Sequence, residues 1–266
     1  MKYCIPFFVG MNSKKSIDEL IIKYKEERYD TLIEFLNEHF YLRVIINFQN
    51  RELTSKDLDF FSALAEKEEY NFAIMISYRI NKDIISQLKE TKINYFFQEY
   101  CVDYSSIAAF LDMGVSDIYI VNDLCFDLPT VSDIVHAAGA KVRVFPNVAQ
   151  EMYPTKDPIT RFFIRPEDIF LYENYVDVCE IFGDAGITEE IFYVYINQKW
   201  NKEINKLISN IDEEFTNTFL LENFSLRRLS CKRKCKINKD CDFCMKKVKI
   251  AKGIDRIRQG GAKKLN

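Results

Sequence analysis

Short runs of β-branched and aromatic residues alternate with segments of helical period along roughly the first 185 residues of this 266-residue chain. The runs are apolar almost throughout, as expected for strands that are covered on both faces. This alternation is typical of βα units around a parallel sheet. It predicts strands at 2–9, 42–48, 71–78, 93–101, 117–122, 141–145, 161–165 and 176–182.

Capping signals mark the helices between these runs. Ser16 with Glu19 predicts a capping box at the start of the first helix, and Thr54 with Asp57 predicts a second one. The segment 110–114 is echoed by 135–139, and each ends in a glycine that can stop a helix, at Gly114 and Gly139.

Strands starting near 93, 117 and 141 give a spacing that suits one short βα unit of a barrel. The fold class predicted is therefore α/β, with a (β/α)8 TIM-type barrel at 1–187, a helical extension at 188–224 and a small tail at 225–266. An open doubly wound sheet is the alternative. No glycine-rich phosphate loop follows any predicted strand, which argues against a standard dinucleotide or P-loop site.

Charge divides the chain into an acidic body and a basic tail. Residues 225–266 hold fifteen Lys or Arg against three Asp, a charge of +12, while the rest of the chain carries −15. The tail is therefore expected to bind a polyanion or the acidic body itself. No apolar run approaches the roughly 18 residues that a membrane span needs, so a cytoplasmic protein with reduced or metal-bound cysteines is predicted.

Four cysteines lie within fourteen residues of the tail, at Cys231, Cys235, Cys241 and Cys244. Four thiolates can converge tetrahedrally on Zn²⁺, and a segment with so few apolar residues would take its folding energy from the metal. A structural zinc knuckle is predicted, with an iron–sulfur cluster or a metal-free tail as alternatives. The flanking lysines and arginines indicate phosphate contacts with RNA or DNA, or else a solvated tail.

Polar residues at the carboxyl ends of the predicted strands are the candidate active-site groups, because barrel enzymes place their sites there. Candidates for acid–base catalysis are Glu99, Asp123 and Glu180. Candidates for substrate binding are Arg165, as an anion clamp, with Asn122 and Asn147. A strand end followed by a helix with an acidic first turn explains Arg165 equally well, and loop hydrogen bonds explain the two asparagines.

Nucleophilic catalysis is not predicted for the body. His39 and His136 lie away from the expected site, so neither is placed to activate a thiol. The body's cysteines, at positions 4, 101, 125 and 179, are expected to pack as small apolar residues.

The segments 117–123 and 141–147, together with the turn Arg165-Pro166-Glu167-Asp168, resemble the barrel of the collagenase-like peptidase family. That family includes RNA and ubiquinone hydroxylation proteins, and the resemblance covers residues 90–183. Its hydroxylation factors hold an iron–sulfur cluster through cysteines spread over the barrel. Here four cysteines are bunched in the tail, so the cluster does not carry over.

These observations predict a barrel protein that binds or modifies nucleic acid, with RNA favoured and the metal knuckle as the docking element. If the chain is an enzyme, RNA modification is the expected reaction. The alternatives are a non-enzymatic scaffold or assembly protein that uses the basic tail, and a peptidase-like hydrolase.

Overall fold

Eight parallel strands form one sheet at the centre of the computed structural model, which describes residues 1–6, 17–24, 29–48, 52–78, 82–148, 164, 166–182 and 185–198. The strands are β1 (Lys2–Pro6), β2 (Glu19–Lys23), β3 (Arg43–Asn47), β4 (Phe72–Ile76), β5 (Tyr95–Phe97), β6 (Asp117–Tyr119), β7 (Lys141–Val144) and β8 (Val178–Glu180). Their order in the sheet is β5-β4-β3-β2-β1-β8-β7-β6. Every strand pair in this order is parallel.

Helices follow most of the strands, which confirms the predicted α/β class. They are α1 (Tyr29–Glu38), α2 (Ser55–Glu66), α3 (Lys82–Lys89), α4 (Tyr104–Asp112), α5 (Leu128–Ala137) and α6 (Ala185–Ile196). Two 3-10 helices, Asn122–Asp127 and Pro166–Tyr172, lie before α5 and before β8. Within the described ranges, no helix is both long and apolar enough to cross a membrane.

The two outer strands of the sheet order, β5 and β6, are joined by backbone hydrogen bonds. The Ser116 nitrogen donates to the Tyr95 oxygen at 2.8 Å, and the Cys101 nitrogen donates to the Tyr119 oxygen at 2.8 Å. Cys101 also forms a parallel bridge with Ile120. The last strand of the order therefore bonds to the first.

The predicted start of the first helix is wrong, because Glu19 opens β2 instead of closing a capping box with Ser16, and α1 begins only at Tyr29. Leu20 and Ile21 are buried in the sheet, and the Glu19 side chain is fully buried beside arginines. Burial of these side chains outweighs a cap on a solvent-exposed helix, which contributes only about 1 kcal/mol. The local sequence pattern therefore does not predict β2.

The predicted strand at 161–165 is also corrected. β7 pairs directly with β8, through Arg143 with Val178 and Val144 with Cys179, so no strand lies between them. Ile164 is the one residue of that segment within the described ranges, and it belongs to no strand. Its nitrogen donates to the Pro146 oxygen at 2.9 Å.

The other helix signals are confirmed. The Thr54 hydroxyl accepts from the Asp57 nitrogen while the Asp57 carboxylate accepts from the Thr54 nitrogen, which is a complete capping box on α2. Gly114 and Gly139 follow α4 and α5 with φ of 75° and 77°. Only glycine adopts this left-handed conformation without strain, so both helices end where predicted.

The last described helix packs on the body of the protein. Its residues Ile191, Phe192 and Tyr195 are buried, and the Tyr195 hydroxyl donates to the Ile164 oxygen at 2.6 Å. The boundary placed at 187 therefore falls inside α6.

Candidate functional site

Four charged side chains meet inside the sheet and form a buried ion-pair cluster of Glu19, Arg43, Asp117 and Arg143. Arg43 Nη1 lies 3.2 Å from Glu19 Oε1 and 3.0 Å from Asp117 Oδ1, and Arg43 Nη2 lies 2.8 Å from Asp117 Oδ2. Arg143 donates through Nε to Asp117 Oδ1 at 3.0 Å and through Nη2 to Glu19. Two guanidinium groups thus face two carboxylates, and the cluster is neutral.

The ion pairs favour the charged forms of Asp117 and Arg43 in spite of their burial. Burial by itself would raise the pKa of Asp117, but attraction to Arg143 and the hydrogen bond from Arg43 outweigh it and lower that pKa. Burial would likewise lower the pKa of Arg43, yet the hydrogen bond from Arg43 to Asp117 raises that pKa.

Glu19, Arg43 and Asp117 are the first residues of their strands. This cluster at the amino ends of the strands is therefore structural, since its charges are satisfied by one another.

A fifth ionisable group, Glu180, is the last residue of β8, and both it and Glu19 pair in register with Cys4 of β1. The Tyr119 hydroxyl at the end of β6 donates a hydrogen bond to Glu180 Oε2. Glu180 is only 8% exposed. Burial raises the pKa of Glu180, against attraction to Arg143 and the Tyr119 hydrogen bond, while repulsion from Glu19 adds to the rise.

Aromatic rings pack around Tyr119, which donates to this carboxyl group. Tyr119 stacks on Phe145 with centroids 5.2 Å apart and planes 3° apart. Tyr100 packs edge-on against both rings, at 5.7 Å and 5.5 Å. Phe182 packs edge-on against Phe145 at 6.1 Å. We name Glu180 with these four rings the carboxyl-edge site.

Two of the rings reach solvent. Tyr100 is 47% exposed and Phe182 is 51% exposed, while Tyr119 and Phe145 are buried beneath them. Burial of its hydroxyl, and then the nearby Glu180 charge, raise the pKa of Tyr100. Tyr100 therefore connects the buried acid with the protein surface.

This arrangement supports two kinds of chemistry. A carboxyl group with a raised pKa can hold a proton near neutral pH and donate it, as a general acid does. Exposed aromatic faces bind flat ligands by stacking. In parallel α/β proteins, whether the sheet is closed or open, ligands bind at the carboxyl ends of the strands, where this site lies.

Glu99, predicted as an acid–base group, accepts hydrogen bonds from two residues that follow β4. Its Oε1 accepts from the Ser77 hydroxyl at 2.8 Å and its Oε2 accepts from the Tyr78 nitrogen at 2.7 Å. Both carboxylate oxygens thus hold the segment after β4. This geometry gives Glu99 a structural role.

Asn147, predicted to bind substrate, is fully buried and clamps the backbone of Phe182. Its Nδ2 donates to the Phe182 oxygen at 2.5 Å, and its Oδ1 accepts from the Phe182 nitrogen at 2.9 Å. The side chain therefore positions one ring of the carboxyl-edge site and has no direct access to a ligand.

Several predicted site residues lie where the structure gives no side-chain geometry. Asn122 and Asp123 lie on the 3-10 helix before α5, and nothing further is described for them. Arg165 lies outside the described residues, as do the four cysteines of the tail, Cys231, Cys235, Cys241 and Cys244. Within the described residues, no group of three or more His, Cys, Asp or Glu side chains could hold a metal ion.

His39, His136 and Cys101 do not supply an acid, a base or a nucleophile to the carboxyl-edge site. His39 is buried, with Nδ1 2.9 Å from the Phe35 oxygen, and His136 Nε2 lies 2.8 Å from Asp177 Oδ2. Burial raises the pKa of the Cys101 thiol to about 12, so it stays protonated at neutral pH. A protonated thiol is a poor nucleophile.

Sequence reasoning missed most of the residues around Glu180. Tyr100, Tyr119 and Phe145 look like ordinary core aromatics in a chain with twenty-two Phe and fifteen Tyr. The ion-pair cluster, in contrast, has a signal in the sequence, because Asp117 and Arg143 interrupt runs of apolar residues. Charged residues in a buried strand need partners of opposite charge, so these two positions indicate ion pairs inside the sheet.

The chain matches no protein-family model, and comparison with curated proteins and with solved structures also finds no match.

Proposed function

We propose that this chain is a (β/α)8-type barrel protein that binds or modifies nucleic acid, with RNA favoured, at the carboxyl-edge site. The observation that carries the proposal is Glu180, a buried acid with a raised pKa at a strand end, whose partner Tyr119 packs against the exposed ring of Tyr100. The alternative is a non-enzymatic scaffold, which the structural roles of Glu99 and Asn147 favour.

Closure of the sheet supports the barrel. In a flat sheet with strands about 4.8 Å apart, β3 and β6 would be separated by about 24 Å, since four strands lie between them in the sheet order. Yet Arg43 and Asp117 on these strands are 2.8 Å apart. Together with the hydrogen bonds from β5 to β6, this contact favours a closed arrangement of strands with the ion-pair cluster inside it.

The exposed rings support nucleic acid as the ligand. Bases of single-stranded RNA stack on aromatic side chains, and each such contact contributes about 1–3 kcal/mol. Tyr100 and Phe182 offer two such rings beside Glu180. If the protein is an enzyme, Glu180 is the general acid that donates a proton to a base held between them.

The tail supports the same ligand, because its charge of +12 suits the phosphate backbone. Four thiols at Cys231, Cys235, Cys241 and Cys244 match the ligand number and type of a closed zinc site, and an iron–sulfur cluster remains the alternative. Zinc held there would be structural, and would present the neighbouring lysines to RNA. We propose the cytoplasm as the compartment, because reduced thiols are maintained there.

Binding of a fluorescent single-stranded RNA to the full-length protein, at about 50 mM and about 200 mM salt, tests the proposal. Replacing Lys246, Lys247 and Lys249 by Gln should weaken binding and flatten its salt dependence. Tyr100→Ala should weaken binding by about tenfold without changing the salt dependence. Phe40→Ala is the matched control, since Phe40 is an exposed aromatic in the turn between α1 and β3, near the amino ends of the strands.

RNA binding that is unaffected by both the lysine and the Tyr100 substitutions would refute the proposal. Loss of binding through the lysines alone would leave the tail as the RNA contact and support the scaffold alternative.

A further inference from the structure

Apolar side chains are exposed next to the carboxyl-edge site, in the segments that follow β4 and β5. Tyr78, Val102 and Tyr104 are between 38% and 50% exposed. The Tyr78 ring packs on Phe110 of α4, with centroids 5.3 Å apart, and Tyr104 is the first residue of that helix. Val102 follows Tyr100 by two residues. A single exposed apolar residue is ordinary, but a group of them beside one helix is typical of an interaction surface.

Three carboxylates lie among these side chains. Glu99 Oε2 accepts from the Tyr78 nitrogen at 2.7 Å, and Asp127 Oδ2 accepts from the Tyr104 hydroxyl at 2.6 Å. Asp103 precedes Tyr104 and caps α4. We name Tyr78, Val102 and Tyr104 with these three acids the α4 surface.

The α4 surface has an excess of negative charge. The segments that build it, 77–83, 99–104 and 122–127, hold five acidic residues and two basic ones, a formal charge of −3. Within the described part of the chain, the donors to its three carboxylates are hydroxyl groups and backbone nitrogens, from Ser77, Tyr78, Tyr104, Ser105, Ser106 and Thr130. Such donors satisfy hydrogen bonds without balancing charge, so the surface attracts a cationic partner.

Residues 245–258 of the tail complement this surface in both respects. Ile250, Ile254 and Ile257 recur at the spacing i, i+4, i+7, which places them on one face if the segment is helical. Six lysines and arginines against one aspartate give the segment a charge of +5. A flexible chain of the 46 residues that separate it from the last described residue, Gln198, spans about 37 Å, which is enough to reach this side of the body.

We propose that residues 245–258 dock on the α4 surface of the same chain, with the isoleucines on Tyr78, Val102 and Tyr104. The contact removes apolar area from water on both sides and brings the basic residues to the carboxylates. The covalent link favours docking further, because it holds the segment at a high effective concentration.

The docked segment keeps a positive charge, since +5 exceeds the −3 of the α4 surface. That excess then lies beside Tyr100, so that the tail and the exposed rings form one continuous surface for RNA. This consequence rests on the proposed function, whereas the docking itself does not.

Helix α1 provides a comparison of equal charge. Asp30, Glu34 and Glu38 are exposed on it, and it contains no basic residue. Within this helix no large apolar side chain is exposed. Attraction by charge alone would therefore bring the tail to α1 as often as to the α4 surface.

Carbodiimide cross-linking of the full-length protein, with mass spectrometry of the monomeric fraction, tests the docking, because this reagent joins amines only to carboxylates that touch them. Links from the lysines of 245–258 to the α4 surface should exceed links to α1 by about fivefold or more. The lysines concerned are Lys246, Lys247, Lys249 and Lys252.

Substitutions on both sides separate apolar docking from charge attraction. Ile254→Ser and Val102→Ser should each reduce the links to the α4 surface by about threefold or more. Val248→Ser is the control in the tail, because helical spacing places Val248 opposite the isoleucines. Ile134→Ser is the control in the body, since Ile134 is exposed in the second half of α5. Both controls should link as the wild type does.

Equal yields at the α4 surface and α1, or no links to the α4 surface, overturn the inference. Yields that persist in both Ile254→Ser and Val102→Ser overturn it as well. A mixture of isotope-labelled and unlabelled protein shows whether the links join two copies, and links found only between copies exclude docking within one chain. These measurements contain no RNA, so loss of the proposed RNA binding and loss of docking are detected separately.

Discussion

Arg43 on β3 and Asp117 on β6 form a bidentate ion pair across the interior of the sheet, with nitrogen–oxygen distances of 3.0 Å and 2.8 Å. The two residues are 74 positions apart in the chain. Both are almost completely buried, so water screens neither charge. The same Asp117 also accepts from Arg143, which makes it the residue that links the two arginines.

Asp117→Asn is expected to destabilise the fold by about 3–5 kcal/mol, because it leaves two buried arginines with one carboxylate. Urea unfolding followed by circular dichroism measures the loss. Glu66→Gln is the matched control, since Glu66 pairs with Lys92 at the surface and should unfold at the wild-type midpoint. Similar midpoints for Asp117→Asn and the wild type would contradict a structural role for the cluster.

Glu180→Gln is expected to change how stability depends on pH. The folded state raises the pKa of Glu180 above its unfolded value, so the stability it contributes is full below the ordinary glutamate pKa and is lost as pH rises through the raised pKa. Glutamine stays neutral at every pH. The stability advantage of Glu180→Gln over the wild type should therefore grow from acid to neutral pH.

Urea unfolding at a series of pH values measures this difference. Tyr119→Phe is the companion variant, because it removes the hydrogen bond that lowers the pKa of Glu180. In that variant the loss of stability should begin at the same ordinary glutamate pKa, continue to a higher pH than in the wild type and reach a larger total. Parallel stability curves for the wild type and Glu180→Gln would show that Glu180 titrates normally.

Asn147→Ala is expected to cost about 1–3 kcal/mol, because the half-buried backbone N–H and C=O of Phe182 both lose their hydrogen-bond partner. Asn147→Asp keeps the oxygen that accepts from the Phe182 nitrogen and loses the donor. It also places a carboxylate beside the Phe182 carbonyl oxygen, so it should also be less stable than the wild type. Thermal unfolding of both variants tests the clamp, and wild-type melting of Asn147→Ala would contradict it.

Cys231→Ser and Cys244→Ser are each expected to lose the metal, because a tetrahedral thiolate site does not retain zinc well with three ligands. Elemental analysis of the purified protein should find one zinc per chain in the wild type. Cys125→Ala is the control, since Cys125 is buried in the body and its thiol donates to the Ile120 oxygen. Full zinc content in both tail variants would contradict the assignment, and a brown protein with iron and sulfide would replace zinc by a cluster.

Local signals in the sequence predicted much of the chain well. The α/β class follows from strand and helix periods, and the capping box at Thr54 and the helix stops at Gly114 and Gly139 depend on interactions within a few residues. The prediction at Glu19 is wrong because it too used only interactions within a few residues. Its local pattern favours a helix start, but the arginines that hold Glu19 in β2 come from β3 and β7.

The candidate site shows the same division. The sequence placed Glu180, Glu99 and Asn147 near strand ends, because the ends of apolar runs can be read directly. Only the packed structure decided that Glu99 and Asn147 hold backbone while Glu180 lies among aromatic rings.

Periodicity and composition by themselves determined that this chain is an α/β protein with an acidic body and a basic, cysteine-bearing tail. The tertiary structure alone decided which charges neutralise one another. Partners such as Arg43 and Asp117 come from distant parts of the chain, and only packing brings them together. Burial then sets the protonation of each group, because the cost of a charge depends on what surrounds it in space.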